Sequence, residues 1–519
     1  MFFLPRLSIL FPYFPALVSG FLLTTAFPDT GLYPLAFVAL VPFWTALKDM
    51  APKKAFYAGL LAGLAHYLTL IYWIVPTLTV FGKLHPVLAV ASLLLLTIYL
   101  AFYIGAFAFI MKWMPAPHPF LTPFWGATVW IGLEFIRTHA LTGFPWGVLG
   151  YSQYTNSLLI QSADLTGVLG ISFLVVAVNG SLTLLWTALR SKSIEKRQAF
   201  ISVAVTLFLI FGALLYGYLR LKTVKHWIQD APHPSISVIQ GNIEQDKKWD
   251  KAFKTFTIDQ YTALSKTVLP SNLVIWPETA LPFYYAREGV YSSRVDALVR
   301  QAKTHFLIGS PAAEPANEKF RYYNRAYMLT PLGMVQGTYD KTHLVPFGEY
   351  VPFQEILWFI DKLTTEAGNF SKGKTGMVPL EFGSHKTGVL ICFEILFSDI
   401  SRTFVQNGAD ILTTMTNDAW FGRTSAPEQH FSIAVLRAVE NRRSLVRAAN
   451  TGISGFIDPS GKIIARTQLF TPAALARKVP AIKQTTFFTR HGDIIGIAAL
   501  VALGLSFMVK SIKNKFRRP

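Results

Sequence analysis

Three side chains in this sequence, each placed at the end of a run that reads as a strand, are of the types that together could carry out covalent acyl chemistry. They are Glu278 in WPETALP, Lys341 in YDKTHLVPFGEYVP and Cys392 in ICFEILF. Cys392 is the only cysteine in the chain. A thiol attacks an acyl carbonyl; a carboxylate takes its proton and later returns one or activates a second nucleophile; an ammonium stabilises the developing oxyanion and the thiolate. The ammonium also offsets burial, which disfavours the thiolate. Each residue has an ordinary reading too: a buried Cys is often just a small hydrophobe, and a Glu or Lys after a strand is commonly solvated or paired. A single Cys excludes an internal disulfide framework and a Cys-rich zinc site. No Walker loop, glycine-rich dinucleotide motif or GxSxG elbow is present, and no metal or cofactor is expected.

Positioning three such groups calls for a sheet. Ser235 to Gln240, Asn272 to Trp276, Phe306 to Gly309, Met334 to Tyr339, Gly388 to Cys392 and Ala409 to Thr414 read as strands. Lys251 to Val268 and Ser292 to His305 read as helices, giving residues 221–485 the texture of a soluble α/β domain. Strands lying side by side in one sheet would bring Glu278, Lys341 and Cys392 to a single crevice.

The remainder of the chain is built differently. Of 519 residues 52% are hydrophobic and only 15% charged, which is the composition of a membrane protein. The formal net charge is +19, but the excess sits in short clusters between apolar segments, so it reads as a topology signal rather than a nucleic-acid face. A helical span takes about 20 residues. Seven apolar stretches qualify, at about 7–27, 31–48, 55–79, 86–111, 120–137, 159–188 and 199–219, with an eighth at 492–509. The first is long, interrupted by Pro12 and Pro15 and followed at once by others, so it reads as a retained helix, not a cleaved signal.

Arg6, Lys48, Lys53, Lys54, Lys112, Arg190, Lys192, Lys196 and Arg197 fall on one side of such a bundle, and the other side has Lys83 and little else. Both termini are therefore expected in the cytoplasm and the α/β domain outside it. Arg220, Lys222 and Lys225 run against that pattern. The expected organisation is a seven-helix region over 1–220, an extracytoplasmic catalytic domain over 221–485, and an eighth helix with a basic cytoplasmic tail over 486–519.

WPETALP, DKTHLVPFGEYVP and GVLICFE, followed by TNDAWFG and RAVENRRSLVRAANTGISGFIDPSG and accompanied by GFPWGVLGYSQ, resemble the apolipoprotein N-acyltransferase family over essentially the whole chain. The resemblance implies a nitrilase-like αββα sandwich beside the eight-span helical bundle, in a bacterial inner membrane with the sandwich on the periplasmic side. It implies a triad of Glu278, Lys341 and Cys392, supported by Glu349 and Glu394. The reaction it implies moves an acyl chain from a phospholipid, typically phosphatidylethanolamine, through a thioester on the Cys to the α-amine of a diacylglyceryl-cysteine on an apolipoprotein. It gives Trp249, in QGNIEQDKKW, a part in engaging substrate. Phe393 departs from the Tyr that some relatives carry after the nucleophile, which leaves only its backbone N–H to serve the oxyanion. A monomer with no nucleic-acid partner is expected.

The aromatic stretch Val345 to Phe370, with Pro346, Phe347, Pro352, Phe353, Trp358 and Phe359, reads either as an apolar arm that dips into lipid or as core. Phe283, Tyr284, Tyr285, Trp420 and Phe421 share that ambiguity. Glu134 and Arg137, three residues apart on one helical face, read as mutual neutralisation or head-group contact, and His66 as a packed residue. Arg437, Glu440, Arg442, Arg443 and Arg447 read as one helical run of internal ion pairs. Two other readings remain at this level: a membrane-anchored amidase or nitrilase with the same triad, and a transporter or receptor whose outer domain only binds. The first leaves most spans without a use; the second lacks the internal repeats and paired midplane charges that transporters tend to have.

Overall fold

The structure is a computed structural model that describes residues 11–190, 195–316, 319–350 and 370–516. The chain forms two compact units: one of residues 1–72, 87–220 and 493–519, and another of 73–86 and 221–492.

The first unit is helical. Pro86–Trp113, Leu159–Arg190, Lys196–Asp230 and Ile494–Asn514 are long and apolar enough to cross a membrane. Pro52–Leu70 makes a fifth candidate only if joined with Ile74–Phe81, which is grouped with the second unit. The described residues thus supply four or five long spans rather than eight. The stretch expected at 31–48 is not one helix: it is divided into Tyr33–Phe37, Val41–Ala46 and Leu47–Asp49, with Pro34 and Pro42 in the first turns of the pieces. A proline there has no N–H for a preceding turn to use, so the first piece cannot fuse with the second. Phe14–Thr25 has only 12 residues, and the expected start of that span and Arg6 lie outside the described residues. Thr122–His139 has 18 residues. The helix Glu195–Asp230 carries on through Arg220, Lys222 and Lys225, beyond the expected end of the seventh span at 219, because no proline occurs before Pro232.

Inside this unit the buried Glu134 and Arg137 both hold the backbone of the following loop. Glu134 Oε1 accepts from Leu149 N–H (2.8 Å), and Arg137 Nη1 donates to the Trp146 carbonyl (2.7 Å). Their polar groups are used for loop anchoring, a partner the spacing alone did not suggest. His66 is buried, with Nδ1 3.0 Å from Thr24 Oγ1.

The second unit has twelve strands: β1 Ser235–Gln240, β2 Leu273–Ile275, β3 His305–Ala316, β4 Lys319–Leu329, β5 Val335–Asp340, β6 Leu380–Phe382, β7 His385–Ile391, β8 Ile411–Thr416, β9 Ser444–Ala449, β10 Gly455–Ile457, β11 Ile463–Arg466 and β12 Ala473–Lys478. They form two six-stranded sheets, in the orders β12-β1-β2-β3-β4-β5 and β11-β10-β9-β8-β7-β6. β1, β2 and β3 are parallel, as are β7, β8 and β9. These central strands are almost wholly apolar or buried, as strands covered on both faces must be. Helices Lys254–Lys266 and Gly289–Ala302 cover the first sheet through a core of Ile258, Tyr261, Trp276, Val295, Val299 and Phe306. Helices Ser398–Gln406 and Ala426–Asn441 belong with the second sheet. Phe283 and Tyr285 fall in the first core, which settles them as packing residues.

Six strands escaped the sequence reading: β4, β6, β9, β10, β11 and β12. β4 carries charged and aromatic residues without clean alternation, and β10 is only three residues long. The run Arg437 to Arg447 is likewise not one helix. Arg437 and Glu440 lie on a helix, Arg442 turns it off at φ +50°, and Arg447 lies on β9.

Candidate active site

β2 and β5 are separated by β3 and β4 in one sheet, while β7 belongs to the other. The expected convergence in a single sheet is therefore replaced by convergence across the sandwich. β2, β7 and β8 all present their carboxyl ends to the site, and β5, antiparallel to a strand that is itself antiparallel to β3, ends on the same edge. The crevice outside the carboxyl ends of parallel strands is where α/β sheets place their ligands.

Glu278 is delivered by a segment that stays pinned to β3 after β2 ends: Trp276 N–H donates to the Leu307 carbonyl (2.9 Å) and Leu281 N–H to that of Gly309 (3.1 Å). Gly309 makes this approach possible, since a Cβ there would lie 2.4 Å from the Pro277 oxygen. The Glu278 carboxylate is buried and doubly held. Asn324 Nδ2 donates to Oε1 (2.7 Å) and Asn417 N–H donates to Oε2 (2.8 Å). Lys341 follows β5, its own N–H donating to the Asn324 carbonyl (2.9 Å). Its ammonium lies 2.9 Å from Glu349 Oε2 and 3.5 Å from Glu278 Oε1. Burial opposes the charge on Lys341, but the carboxylates of Glu349 and Glu278 more than offset it and hold the ammonium well above its ordinary range.

Cys392 begins a short helical turn directly after β7, at φ +54°, a left-handed conformation that costs a non-glycine residue about 1–2 kcal/mol. Burial and the negative charge of Glu278 push its thiol well up, against the smaller pull of Lys341. The resting sulfur is thus a protonated thiol that feels the charges of both the Glu278 carboxylate and the Lys341 ammonium.

Glu349 couples Lys341 to its surroundings. It accepts from Asn324 Nδ2 (3.1 Å) and from Val345 N–H (2.8 Å) besides the ammonium. Glu394 is fully buried, and its carboxylate is turned to structure. Oε1 accepts from Tyr339 Oη (2.8 Å), Thr342 N–H (2.7 Å), Thr342 Oγ1 (2.8 Å) and His343 N–H (3.1 Å); Oε2 accepts from Ile391 N–H (2.7 Å). It ties the loop bearing Lys341 to the strand bearing Cys392. Burial still raises its carboxyl above the usual range, with these donors working against the shift. Phe393 is buried against Phe397, at 5.4 Å between ring centres.

Trp249 lies just past the four-residue helix Gln245–Lys248 and is half-buried. In that segment it is Lys248 that reaches the site, its ammonium donating to Thr279 Oγ1 (2.7 Å) next to Glu278. Asn324, Asn417, Lys248, Asp418 and His430 went unnoticed in the sequence. The only available signal was TNDAWFG, where two polar residues follow a buried strand without a break. Trp420 and Phe421, from the same motif, meet Phe81 and Trp73 at 5.8 and 4.9 Å between ring centres. Of the aromatic stretch after Lys341, Pro352, Phe353, Trp358 and Phe359 lie outside the described residues. No group of three metal-ligating side chains occurs among the described residues.

Residues 19–181 match the apolipoprotein N-acyltransferase N-terminal domain, and residues 235–480 match the carbon-nitrogen hydrolase family. Apolipoprotein N-acyltransferase of Geobacter metallireducens is 41% identical over 513 residues, covering 97% of this chain and 96% of its own. The proteins of that name from Methylococcus capsulatus and Pseudomonas putida are 32% and 31% identical, with coverage of 95% and 91% of both chains.

Proposed function

Because the chain belongs to the apolipoprotein N-acyltransferase family and is an acyltransferase, we propose that Cys392, Glu278 and Lys341 are the groups through which it acylates lipoproteins. The observation that carries this reading is the buried Glu278–Lys341 pair, delivered by one sheet, whose charges bear on the Cys392 thiol that follows β7 of the other.

In the first half-reaction Glu278 takes the thiol proton, and the sulfur attacks an ester carbonyl of a phospholipid. The new oxyanion is stabilised by the Lys341 ammonium and the Phe393 N–H. Collapse breaks the ester C–O bond; the lysophospholipid oxygen leaves with the proton from Glu278, and a thioester remains on Cys392. In the second, the α-amine of the diacylglyceryl-cysteine attacks the thioester and Glu278 accepts an amine proton. Collapse breaks the C–S bond, and the sulfur recovers that proton. An amide forms, and the enzyme returns to its starting state. Glu349 and Asn324 hold Lys341 and Glu278 for these steps, Glu394 holds the two loops, and Trp249 engages substrate. The donor is phosphatidylethanolamine, and the protein works as a monomer in the inner membrane. Its long apolar helices cross that membrane, with both termini in the cytoplasm and the 221–485 domain on the periplasmic side.

The test is intact-protein mass spectrometry of the detergent-purified enzyme incubated with phosphatidylethanolamine and no acceptor, beside Cys392→Ala. The expected result is an added acyl mass on the unsubstituted protein only, removed by neutral hydroxylamine and transferred on adding a diacylglyceryl-cysteine peptide. No adduct, with slow hydrolysis of small amides instead, would replace this reading with a membrane-anchored amidase.

A further inference from the structure

Beneath Cys392 lies a buried polar cluster that none of these steps uses. His430, on the first turns of the helix Ala426–Asn441, sets Nε2 3.3 Å from the Cys392 carbonyl oxygen and Nδ1 3.0 Å from Arg447 Nη2. Asp418 takes a hydrogen bond from Arg447 Nη2 (2.7 Å) and one from Thr416 Oγ1 (2.8 Å), and its Oδ1 is 3.1 Å from His430 Nδ1. The side chains of His430, Asp418 and Arg447 are essentially inaccessible to solvent. A carbonyl oxygen only accepts, so the contact with Cys392 is a hydrogen bond with the imidazole proton on Nε2; in the neutral ring Nδ1 then accepts from Arg447, while Asp418 Oδ1 takes its hydrogen bond from Thr416. Burial and Arg447 both lower the His430 pKa, in keeping with a neutral ring beside a compensated Asp–Arg pair.

The Cys392 carbonyl and the Phe393 N–H belong to one peptide unit, which is planar and trans, so they point in opposite directions. Whatever fixes the carbonyl also aims that N–H. The Phe393 N–H lies in the first turn of the helical segment Cys392–Leu396, where no carbonyl of the turn can accept it. The left-handed backbone at Cys392 is a conformation that its surroundings must impose. We propose that His430 is a positioning residue: through its hydrogen bond to the Cys392 carbonyl it orients the Phe393 N–H toward the oxyanion of both half-reactions. This rests on the acyl-transfer reading above.

The experiment separates oxyanion stabilisation from thiol reactivity. Alkylation of Cys392 by iodoacetamide is a displacement at a saturated carbon and forms no oxyanion, whereas acylation by phosphatidylethanolamine does. In His430→Ala the rate of thioester formation should fall about ten- to hundred-fold, below the full loss of an oxyanion donor, while alkylation stays within about two-fold. His430→Gln, whose amide N–H reaches a similar point, should recover most of the acylation rate. The Km for phospholipid should hold in both variants. Equal loss in the two assays would overturn the inference by making His430 act on the thiol, or by reporting a misfolded site. Unchanged acylation in His430→Ala, or a Gln variant no better than Ala, would overturn it as well. Absence of any thioester on the unsubstituted protein would instead remove the acyl-transfer reading, and this inference with it.

Discussion

Glu394→Gln is the substitution that most directly tests how the site is held together. The replacement has the same shape but turns one acceptor oxygen into a donor NH2. If the amide nitrogen occupies the Oε2 position, it confronts Ile391 N–H; at the Oε1 position, it confronts the N–H groups of Thr342 and His343. Backbone donors cannot rotate away, while the hydroxyls of Tyr339 and Thr342 can, so the first orientation is the cheaper one. It leaves one buried N–H without an acceptor, at about 1–3 kcal/mol, and weakens four charge-assisted bonds by about 0.5–1 kcal/mol each. Burying a neutral amide instead of a carboxylate returns part of this, leaving a net loss of about 2–4 kcal/mol.

For a unit of this size each kcal/mol moves Tm by about 2–4 °C, so the expected drop is about 5–15 °C. Thermal unfolding in detergent measures it, and the burst of thioester formation shows whether Cys392 and Lys341 still face each other. Glu394→Gln should retain a reduced burst, and Glu394→Ala, which strands all three backbone donors, less. A Tm within about 1 °C of the parent together with an unchanged burst would refute the idea that this carboxylate joins the two loops.

Asn324→Asp would set a further carboxylate between Glu278 and Glu349 with one ammonium to balance them, and acylation should fall by at least about a hundred-fold; near-parental activity would argue against the bridging role. Because the Cys392 thiol is pushed up, iodoacetamide alkylation should keep rising with pH beyond the ordinary thiol range, and Lys341→Met should slow it further; a plateau near pH 8 would contradict a protonated resting sulfur. His343, stacked at 3.7 Å on Phe397, is lowered to about 4 by burial, Lys372 and Lys341. The unfolded chain then binds a proton that the folded one refuses, so stability falls as pH drops from about 6.5 toward 4. His343→Phe should flatten that part of the stability profile, as followed by Tm at pH 7, 6 and 5; an unaltered slope would exclude His343 as its source.

The long apolar segments, and the placing of Glu278, Lys341 and Cys392 after strands, were legible because both are written locally. A long apolar run needs no partner to be recognised, and Glu278 and Cys392 each follow a strand whose apolar pattern is continuous in the chain. Where prolines cut such a run, as at Pro34 and Pro42, hydropathy alone overstated it, since composition counts apolar side chains and not backbone donors. What the sequence could not hold was which strands face one another. The pairing of β2 and β5 in one sheet with β7 in the other brings Asn324, Asn417 and Lys248 to Glu278 from residues 30 to 139 positions away. The cluster of Asp418, His430 and Arg447 comes together from a turn, a helix and a strand that share no motif. Such residues look like ordinary polar side chains until the core closes around them. Only burial, which makes every unpaired polar group costly, converts their neighbourhood into a network.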